Sequence, residues 1–258
     1  MVLDKYKVDG RSAVITGGGR GIGFACAEAI CEAGGTVTIL EKDERLAQQA
    51  ASALTEKGYQ VATEICDVTR TESVEAAAKS ISMRHGNTSI LVNCAGVVLG
   101  GDIAAEDLKD EFWEGTFDVN VTGSFRCCRA FGQQMLNAGG GAIVNIGSMS
   151  GLIVNRPQKN AAYNASKAAV HHLTKSLAAE WADRNVRVNA VAPTYIATEM
   201  TADQTTHQER FARWMDSTPM ARMGEPSEIA AIVLFLCSDA ASLMTGSIVV
   251  ADGGYTLW

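Results

Sequence analysis

A tyrosine and a lysine one helical turn apart, with a serine upstream, are the residues of this chain best suited to acid–base chemistry. Tyr163 and Lys167 lie in the stretch Ala-Tyr-Asn-Ala-Ser-Lys at the start of a long helical pattern, and Ser148 ends an apolar run fifteen residues earlier. Residues four apart share one face of a helix. An ammonium beside a phenol favours the phenolate, so the pair predicts a general acid/base at Tyr163.

Such a pair also occurs by chance on solvated helix faces, so the elements that would position it matter. Predicted strands cover 12–16, 36–40, 61–66, 90–93, 142–146, 186–191 and 247–251, and predicted helices cover 22–33, 44–57, 72–84, 116–136, 161–182, 208–215 and 227–237. This alternation implies right-handed crossovers and a parallel sheet. We expect a single α/β domain over residues 1–258, with about seven parallel strands and helices on both faces. Residues 194–226 interrupt the alternation and are predicted to form a flap over the site.

Composition and charge narrow the classes of protein and partner. The 258-residue chain is 47% hydrophobic with only 4 prolines, which predicts no disordered tail. Lys+Arg 22 against Asp+Glu 29 gives a net charge of −7, which disfavours nucleic-acid and anionic-membrane partners. Seven cysteines without a C-x-x-C pair indicate reduced core thiols. The sequence shows no signal-peptide pattern or long apolar span, so we expect a cytoplasmic protein.

A glycine-rich stretch, Thr16-Gly-Gly-Gly-Arg-Gly-Ile-Gly23, lies between the first predicted strand and the first predicted helix. Glycines there let the backbone turn sharply and bring a pyrophosphate onto the helix N-terminus. The stretch therefore predicts a dinucleotide site, with contacts from Gly17, Gly19, Arg20, Gly21, Ile22 and Gly23.

An acidic residue at the end of the second strand bears on which dinucleotide binds. Glu41 follows Gly23 by eighteen residues, a position from which a carboxylate binds ribose hydroxyls and repels a 2′-phosphate. This favours NAD over NADP. Lys42 and Arg20 are the opposing signal, because either cation could neutralise a phosphate.

Two further turns follow predicted parallel strands on the same edge of the sheet. Asp67 and Val68 come after the third strand, and Asn93-Cys-Ala-Gly96 ends the fourth. Ligands of open α/β sheets bind at the carboxyl ends of the strands. We expect Asp67, Val68, Asn93, Ala95 and Gly96 to contact the adenine and ribose, although each turn could also be an ordinary cap.

Together these motifs resemble the short-chain dehydrogenase/reductase family. The resemblance rests on T-G-G-G-R-G-I-G, N-C-A-G, Asn120, Ser148, Y-N-A-S-K and P-T-Y-I-A-T, and it covers nearly the whole chain. It implies a doubly wound Rossmann fold, a nicotinamide hydride-transfer reaction, and a catalytic tetrad formed by Asn120, Ser148, Tyr163 and Lys167.

The resemblance also implies a role for each member of the tetrad. Tyr163 would exchange a proton with the alcohol or carbonyl oxygen, and Ser148 would hydrogen-bond the same oxygen. Lys167 would lower the pKa of Tyr163 and hold the nicotinamide ribose. Asn120 would bend or hydrate its helix and connect Lys167 to solvent through water.

The turn after the sixth strand, Pro193-Thr-Tyr-Ile-Ala-Thr198, matches the stretch that binds the nicotinamide carboxamide in the family. The resemblance assigns this contact to Ile196 and Thr198, and Pro193 is a further predicted cofactor-binding residue. Thr194 stands where the family usually has glycine, so the turn is expected to be tighter or differently aimed. Cys94 likewise replaces a usual asparagine.

The loop 148–158 offers polar groups for a substrate just before the catalytic helix. Ser148, Ser150, Asn155 and Tyr163 are the predicted substrate contacts, and they suit a polyhydroxylated molecule. This loop, V-H-H-L-T-K-S-L-A-A-E-W, P-M-A-R-M-G-E-P-S-E-I-A and the ending D-G-G-Y-T-L-W resemble polyol dehydrogenases of the galactitol 2-dehydrogenase type. The resemblance implies NAD-dependent interconversion of a polyol and its ketose.

Two alternative functions remain open at this point. An NADPH-dependent 3-oxoacyl carrier-protein reductase, or another carbonyl reductase, would use the same tetrad. A dinucleotide-binding module without activity would be marked by loss of Tyr163 or Lys167, and neither is lost.

The remaining predictions concern metal sites, a pocket residue, the association of subunits and the C-terminus. His85, His171, His172 and His207 lack the spacing of zinc ligands, so no metal site is predicted. Trp214 is a candidate pocket wall. Family members are commonly tetramers, which predicts a homotetramer joined through 116–136 and 161–182. The apolar ending 255–258 is expected to pack rather than fray, with no structural magnesium.

Overall fold

The computed structural model describes residues 1–205 and 207–257. Within these ranges seven parallel strands form one sheet in the order β3-β2-β1-β4-β5-β6-β7. They are β1 (Ser12–Thr16), β2 (Thr36–Glu41), β3 (Val61–Ile65), β4 (Ile90–Asn93), β5 (Gly141–Ile146), β6 (Val186–Pro193) and β7 (Ile248–Ala251). The predicted parallel sheet is confirmed. Its strand order reverses between β1 and β4, which opens a crevice at their carboxyl ends.

Helices cover both faces of the sheet. They are α1 (Gly21–Glu32), α2 (Glu44–Glu56), α3 (Thr71–His85), α4 (Asp110–Phe117), α5 (Ser124–Ala138), α6 (Ala161–Trp181), α7 (Glu199–Thr205), α8 (Gln208–Asp216) and α9 (Pro226–Cys237). One apolar core joins the sheet to α1, α2 and α9, and a second joins it to α3, α5 and α6. The doubly wound Rossmann architecture predicted from the alternation is therefore confirmed.

Alternation along β1 shows how one strand serves both cores. Ala13 and Ile15 pack into the core beneath α1 and α9, whereas Val14 packs into the core beneath α3, α5 and α6. Successive strand side chains point to opposite faces, so a strand buried on both faces must be apolar throughout. All five residues of β1 are buried.

The predicted helix 116–136 differs from the structure in both its start and its continuity. Helical structure begins earlier, at Asp110, where Asp110 and Glu111 occupy the first turn of α4 and suit its positive end. A π-helical turn, Asp118–Gly123, then separates α4 from α5. Such a turn inserts an extra residue into the helical ladder and redirects the side chains it carries.

The flap, residues 194–226, contains two helices where the sequence pattern predicts one at 208–215. The additional helix is α7, which has too few apolar residues for periodicity to reveal it. The role of this segment as a flap stays a prediction. No helix in the described part of the chain is long and apolar enough to cross a membrane. All seven cysteines are free thiols.

Candidate active site

A cavity of about 740 Å³ opens at the carboxyl ends of the central strands. The glycine turn after β1, the turns after β3 and β4, the start of α6 and the flap all border it. The position is the crevice where the strand order reverses, between β1 and β4. One cavity therefore contains both the predicted dinucleotide residues and the predicted acid–base residues.

Tyr163, Lys167 and Ser148 meet on its wall. The Ser148 side chain is close enough to the Tyr163 phenol to lower its pKa. The Lys167 Nζ lies 5.5 Å from the centre of the Tyr163 ring and donates a hydrogen bond of 2.8 Å to the Ile146 carbonyl. Helix α6 supplies the tyrosine and lysine, and the end of β5 supplies the serine. The fold thus brings together residues that the sequence separates.

Burial shifts the pKa of both Tyr163 and Lys167. Burial raises the pKa of Tyr163 above its ordinary value, while the hydrogen bond with Ser148 lowers it. Burial lowers the pKa of Lys167 to about 8. Ser148 is thus a group that favours the phenolate in this structure. The expected effect of Lys167 on the same phenol stays a prediction.

Asn120 lies in the π-helical turn between α4 and α5 and is buried. Its amide oxygen accepts a hydrogen bond of 2.8 Å from the Val97 amide. Its Nδ2 donates to the Val97 carbonyl and to the Ser166 hydroxyl, each at 3.0 Å. The residue ties the segment after β4 to α6 and does not line the cavity. A π-helical turn lies at Asn120, while the expected bend and the water link to Lys167 stay predictions.

The glycine turn has the close backbone approaches that a pyrophosphate site requires. A Cβ on Gly17, whose φ is +63°, would lie 2.9 Å from the backbone of Ala95. A Cβ on Gly23 would lie 2.2 Å from the Gly17 carbonyl oxygen. Side chains are therefore excluded where the turn meets the N-terminus of α1. The space left open fits a dinucleotide phosphate group.

The predicted ribose acid, Glu41, is held beside this turn. Its carboxylate accepts hydrogen bonds from the Gly19 amide at 3.3 Å and from the Lys42 amide at 2.9 Å. The Lys42 ammonium pairs instead with Asp67 at 2.8 Å. Burial would raise the pKa of Asp67, but hydrogen bonds from Lys42 and Thr69 hold it at about 2. Lys42 is thus engaged by a neighbouring carboxylate.

Most of the other predicted cofactor residues also border the cavity. They are Arg20, Gly21, Ile22, Val68, Ala95, Gly96, Pro193, Ile196 and Thr198. Gly19 and Asn93 do not border it. Asn93 is buried behind the wall, where its Nδ2 donates to the Asn145 Oδ1 at 2.8 Å and joins β4 to β5. Leu46 and Thr69 border the cavity at the Glu41 end without a recognisable signal in the sequence.

The predicted substrate residues cluster next to Tyr163. Ser148 and Ser150 are buried, and their hydroxyl oxygens lie 3.0 Å apart. Asn155 is also buried, and its Nδ2 donates to the Tyr195 hydroxyl at 3.3 Å. The Asn155 Oδ1 has no hydrogen-bond partner among the described residues. Buried polar groups are normally paired, so this oxygen is available to a ligand hydroxyl.

Two stacked aromatic side chains, those of Tyr195 and Trp214, form part of the cavity wall. Tyr195 and Trp214 lie 3.7 Å apart between ring centres and are almost parallel, 7° between planes. Gln158 joins them, since its Nε2 donates to the Tyr195 hydroxyl at 2.7 Å and its Oε1 accepts from the Trp214 indole at 3.1 Å. Sequence reasoning named Trp214 but missed Gln158 and Tyr195. The position of Tyr195 inside the P-T-Y-I-A-T stretch was the available signal.

The nicotinamide turn continues directly from β6. Thr194 donates its amide to the Ala251 carbonyl at 3.2 Å, and its buried hydroxyl has no partner among the described residues. Thr198 closes against the glycine turn, because a Cβ on Gly21 would lie 3.3 Å from its methyl group. The two predicted cofactor segments therefore adjoin. The effect of Thr194 on the aim of this turn stays a prediction.

Histidine, cysteine and acidic side chains form no metal-binding group within the described residues. His171 is buried and His172 is exposed on α6. At the C-terminus Tyr255 is buried against Tyr195, while Leu257 is 75% exposed. Trp258, part of the predicted packed ending, lies outside the described residues.

Comparisons with known proteins agree with this geometry. A family model described as enoyl-(acyl carrier protein) reductase matches residues 17–256. The chain is 53% identical to galactitol 2-dehydrogenase of Rhizobium johnstonii over 254 residues, covering 98% of each chain. It is 49% identical to the L-tagatose-forming galactitol 2-dehydrogenase of Cereibacter sphaeroides, again covering 98% of each.

Solved structures of similar proteins also match the chain over its full length. The crystal structure of gox2181 is similar with a TM-score of 0.98 and 50% identity, and the match covers 100% of both chains. A gluconate 5-dehydrogenase from Burkholderia cenocepacia, in complex with NADP and tartrate, is similar with a TM-score of 0.95 and 32% identity over 100% of both chains. The fold and the length of the chain thus match those of dehydrogenases throughout.

Proposed function

Because the chain belongs to the short-chain dehydrogenase/reductase family, whose members are nicotinamide-dependent oxidoreductases of CH–OH groups, we propose that it is an NAD-dependent polyol dehydrogenase. The reaction is the interconversion of a sugar alcohol and its ketose. The observation that carries this proposal is that Tyr163 and Ser148, which lowers the pKa of the Tyr163 phenol, line one cavity together with Ser150 and Asn155. The 53% identity to a galactitol 2-dehydrogenase supports the substrate class.

The cavity has the features needed for a dinucleotide. The pyrophosphate fits the turn at Gly17–Gly23, where the N-terminus of α1 offers unpaired amides. Lys167 is in position to bind ribose hydroxyls, and Ile196 and Thr198 to bind the carboxamide. A nicotinamide held there would supply the hydride acceptor for the carbinol carbon of the substrate.

The residues of the chain handle the proton of the alcohol. The Tyr163 phenolate removes it during oxidation, and the Tyr163 phenol returns it during reduction. Ser148 hydrogen-bonds the substrate oxygen and keeps it next to the phenol. The Lys167 ammonium stabilises the phenolate. Asn120 fixes the position of α6 through Ser166 and provides a route from Lys167 to water.

Two observations favour NAD over NADP. The Glu41 carboxylate lies at the ribose end of the cavity, where a 2′-phosphate would meet a like charge. Lys42, which could offset that repulsion, is paired with Asp67. Arg20 also borders the cavity, and a similar gluconate 5-dehydrogenase was solved with NADP, so cofactor choice needs a direct measurement.

A homotetramer is also part of this proposal. Phe125, an exposed aromatic side chain of α5, lies in the segment 116–136 through which family members commonly associate, and exposed Trp113 precedes that segment on α4. Exposed Leu257 lies at the C-terminus. A contact between subunits would remove these apolar surfaces from water.

One absorbance screen tests the function. Purified protein is mixed with galactitol, sorbitol, xylitol, glycerol or a simple secondary alcohol, with NAD or NADP at equal concentration, and NADH or NADPH formation is followed. We expect NADH from polyols and much less from the simple alcohol, because the polar wall of the cavity would stay unpaired.

The competing function gives the opposite result. A 3-oxoacyl carrier-protein reductase would consume NADPH with a carrier-bound 3-oxoacyl thioester and leave all polyols unchanged. The match to the enoyl-(acyl carrier protein) reductase family model is the observation that supports this candidate. Glu41 disfavours it through the cofactor, and the net charge of −7 disfavours docking of an acidic carrier.

A further inference from the structure

A buried histidine lies directly beneath the turn that carries Ser148. His171 is 5% exposed, and its Nε2 accepts a hydrogen bond from the Ser148 backbone amide at 3.4 Å, at the long end of the range. On α6 it follows Tyr163 by eight residues and Lys167 by four. All three side chains therefore share one face of the helix. Nothing in the proposed proton transfer uses this residue.

The imidazole ring fits between two glycines of the Ser148 turn, which we define as residues 147–151. A Cβ on Gly147 would lie 2.3 Å from the His171 Nε2. A Cβ on Gly151 would lie 2.8 Å from the Nδ1 and Cε1 atoms of the ring. Both flanks of the turn thus pack on the ring without intervening side chains. The position of this turn depends on the ring.

The ring is neutral at the pH of the proposed reaction. Burial, together with the charges of Lys167 and Lys175, lowers the pKa of His171 to about 4. A neutral ring that accepts from Ser148 at Nε2 carries its proton on Nδ1. That Nδ1 is buried and has no partner among the described residues. The only hydrogen bond of the ring among the described residues is therefore the one it accepts from the Ser148 amide.

The hydrogen bonds of the Ser148 turn lead from the histidine to the phenol. The Ser148 hydroxyl oxygen accepts the Ser150 amide at 3.1 Å, which closes the turn Met149–Gly151. The same side chain borders the cavity beside Tyr163 and lowers the pKa of that phenol. Because His171 holds the amide of Ser148, it limits rotation of the backbone that aims this hydroxyl.

We propose that His171 is a positioning residue, which aims the Ser148 hydroxyl at Tyr163 through the Ser148 amide. The inference rests on the proposed function, since it assigns Tyr163 as the acid/base. Its consequence is specific. Loss of the acceptor at 171 weakens the Ser148 contact that favours the phenolate, so the pKa of Tyr163 rises.

The experiment compares His171→Leu and His171→Met with His171→Gln, whose side-chain oxygen can still accept from the Ser148 amide. His172→Leu is the matched control, because His172 is the exposed neighbour on the same helix. For each protein kcat/KM for polyol oxidation is measured against pH, together with the Kd for NAD and Tm.

We expect the rising limb of the His171→Leu and His171→Met profiles to move to higher pH by about one unit, the size of one lost hydrogen bond to a charged group. Below that limb the rate falls by about tenfold. His171→Gln and His172→Leu keep the wild-type limb. The Kd for NAD is unchanged in all four, because His171 does not border the cavity.

A limb at the wild-type pH in both apolar variants would overturn the proposal, even if their Tm falls. Titration of the phenol keeps this test independent of turnover. The tyrosinate absorbance of each protein minus that of its Tyr163→Phe counterpart reports the pKa of Tyr163 directly. If wild type oxidises no polyol, the proposed function fails, while this titration still supports or refutes the role of His171.

Discussion

Tyr163 is placed where its neutral form is favoured, and its proposed task requires the ionised form. Burial raises the pKa of the phenol, and the Ser148 hydrogen bond opposes that effect. Lys167 is itself buried, with its pKa lowered to about 8. A buried cation and a buried phenolate stabilise each other, because each offsets the desolvation of the other. Acid–base function at this residue is therefore a property of the group of three.

Tyr163→Phe removes the acid/base and leaves the shape of the site. We expect kcat for polyol oxidation to fall by at least about 100-fold, the usual contribution of a positioned proton acceptor. The Kd for NAD should change little. Tyr59→Phe is the control, because Tyr59 precedes β3 and lies outside the cavity lining, and it should keep full activity. Substantial turnover by Tyr163→Phe would refute the assignment of the acid/base.

The direction of the pH dependence follows from the same residue. Oxidation needs the phenolate, so lowering the pH below the pKa of Tyr163 removes the active form. Because one group must lose its proton, we expect kcat/KM for oxidation to rise about tenfold per pH unit on the acidic limb. Since burial raises the pKa of Tyr163, this limb should extend to higher pH. Ketose reduction needs the phenol and should lose rate as the pH rises through the same pKa. Parallel profiles in the two directions would argue against a single shared group.

At the scale of elements, the strands and the catalytic helix could be predicted from hydrophobic pattern alone. Residues such as Val14 and Ile15 lie in apolar runs of strand length between glycine turns, and these runs carry the signal. The π-helical turn around Asn120 carries none, because an extra residue in the helical ladder does not alter local composition. Gln158 and Tyr195 meet only through tertiary structure, in segments without periodicity.

The glycine turn gives a prediction at this scale, with a matched control. Gly17→Ala would place a Cβ 2.9 Å from Ala95 at a φ of +63°, and the turn would have to open. Gly58 has a φ of +89° and no atoms within 4 Å of such a Cβ. Both substitutions strain the backbone by roughly 1 kcal/mol or more. Titration with NAD should show at least about tenfold weaker binding for Gly17→Ala only, by analogy with other misplaced phosphate contacts.

Equal NAD affinity in Gly17→Ala and Gly58→Ala would place the dinucleotide elsewhere. Circular dichroism melts of both variants separate loss of the turn from loss of the fold, since each should unfold in one cooperative transition.

The cavity wall formed by Tyr195, Trp214 and Gln158 leads to a prediction about the length of the polyol substrate. Gln158→Leu leaves the Tyr195 hydroxyl and the Trp214 indole without their shared partner. We expect KM for six-carbon polyols to rise by about tenfold or more and KM for glycerol to change little, because only the longer chain reaches this wall. Gln48→Leu, at an exposed glutamine of α2, is the control. A uniform effect on all polyols would instead indicate a role near the reacting carbon.

At the scale of the whole molecule, the cofactor cavity connects the two halves of the sheet. The edge of β2 and β3 supplies Glu41 and Asp67, and the β4-β5-β6 half supplies Ser148 and the nicotinamide turn. The two apolar cores lie on opposite faces of these same strands. A dinucleotide that contacts both halves binds only the folded chain. Cofactor binding should therefore raise the Tm of the protein.

Thermal unfolding with each cofactor tests this coupling and the assignment of Glu41 together. A ligand at about 100 times its Kd stabilises the folded state by about 2.7 kcal/mol, which raises the Tm of a chain this size by about 5 °C or more. We expect that shift with NAD and a smaller one with NADP at equal concentration, because the Glu41 carboxylate repels the 2′-phosphate. Glu41→Gln removes the charge and should make the Tm shifts with NAD and NADP nearly equal, with Glu44→Gln on α2 as the control.

Tyr163→Phe should keep the wild-type Tm shift with both cofactors, which separates binding from proton transfer. A larger shift with NADP than with NAD in the wild-type protein would reverse the cofactor assignment.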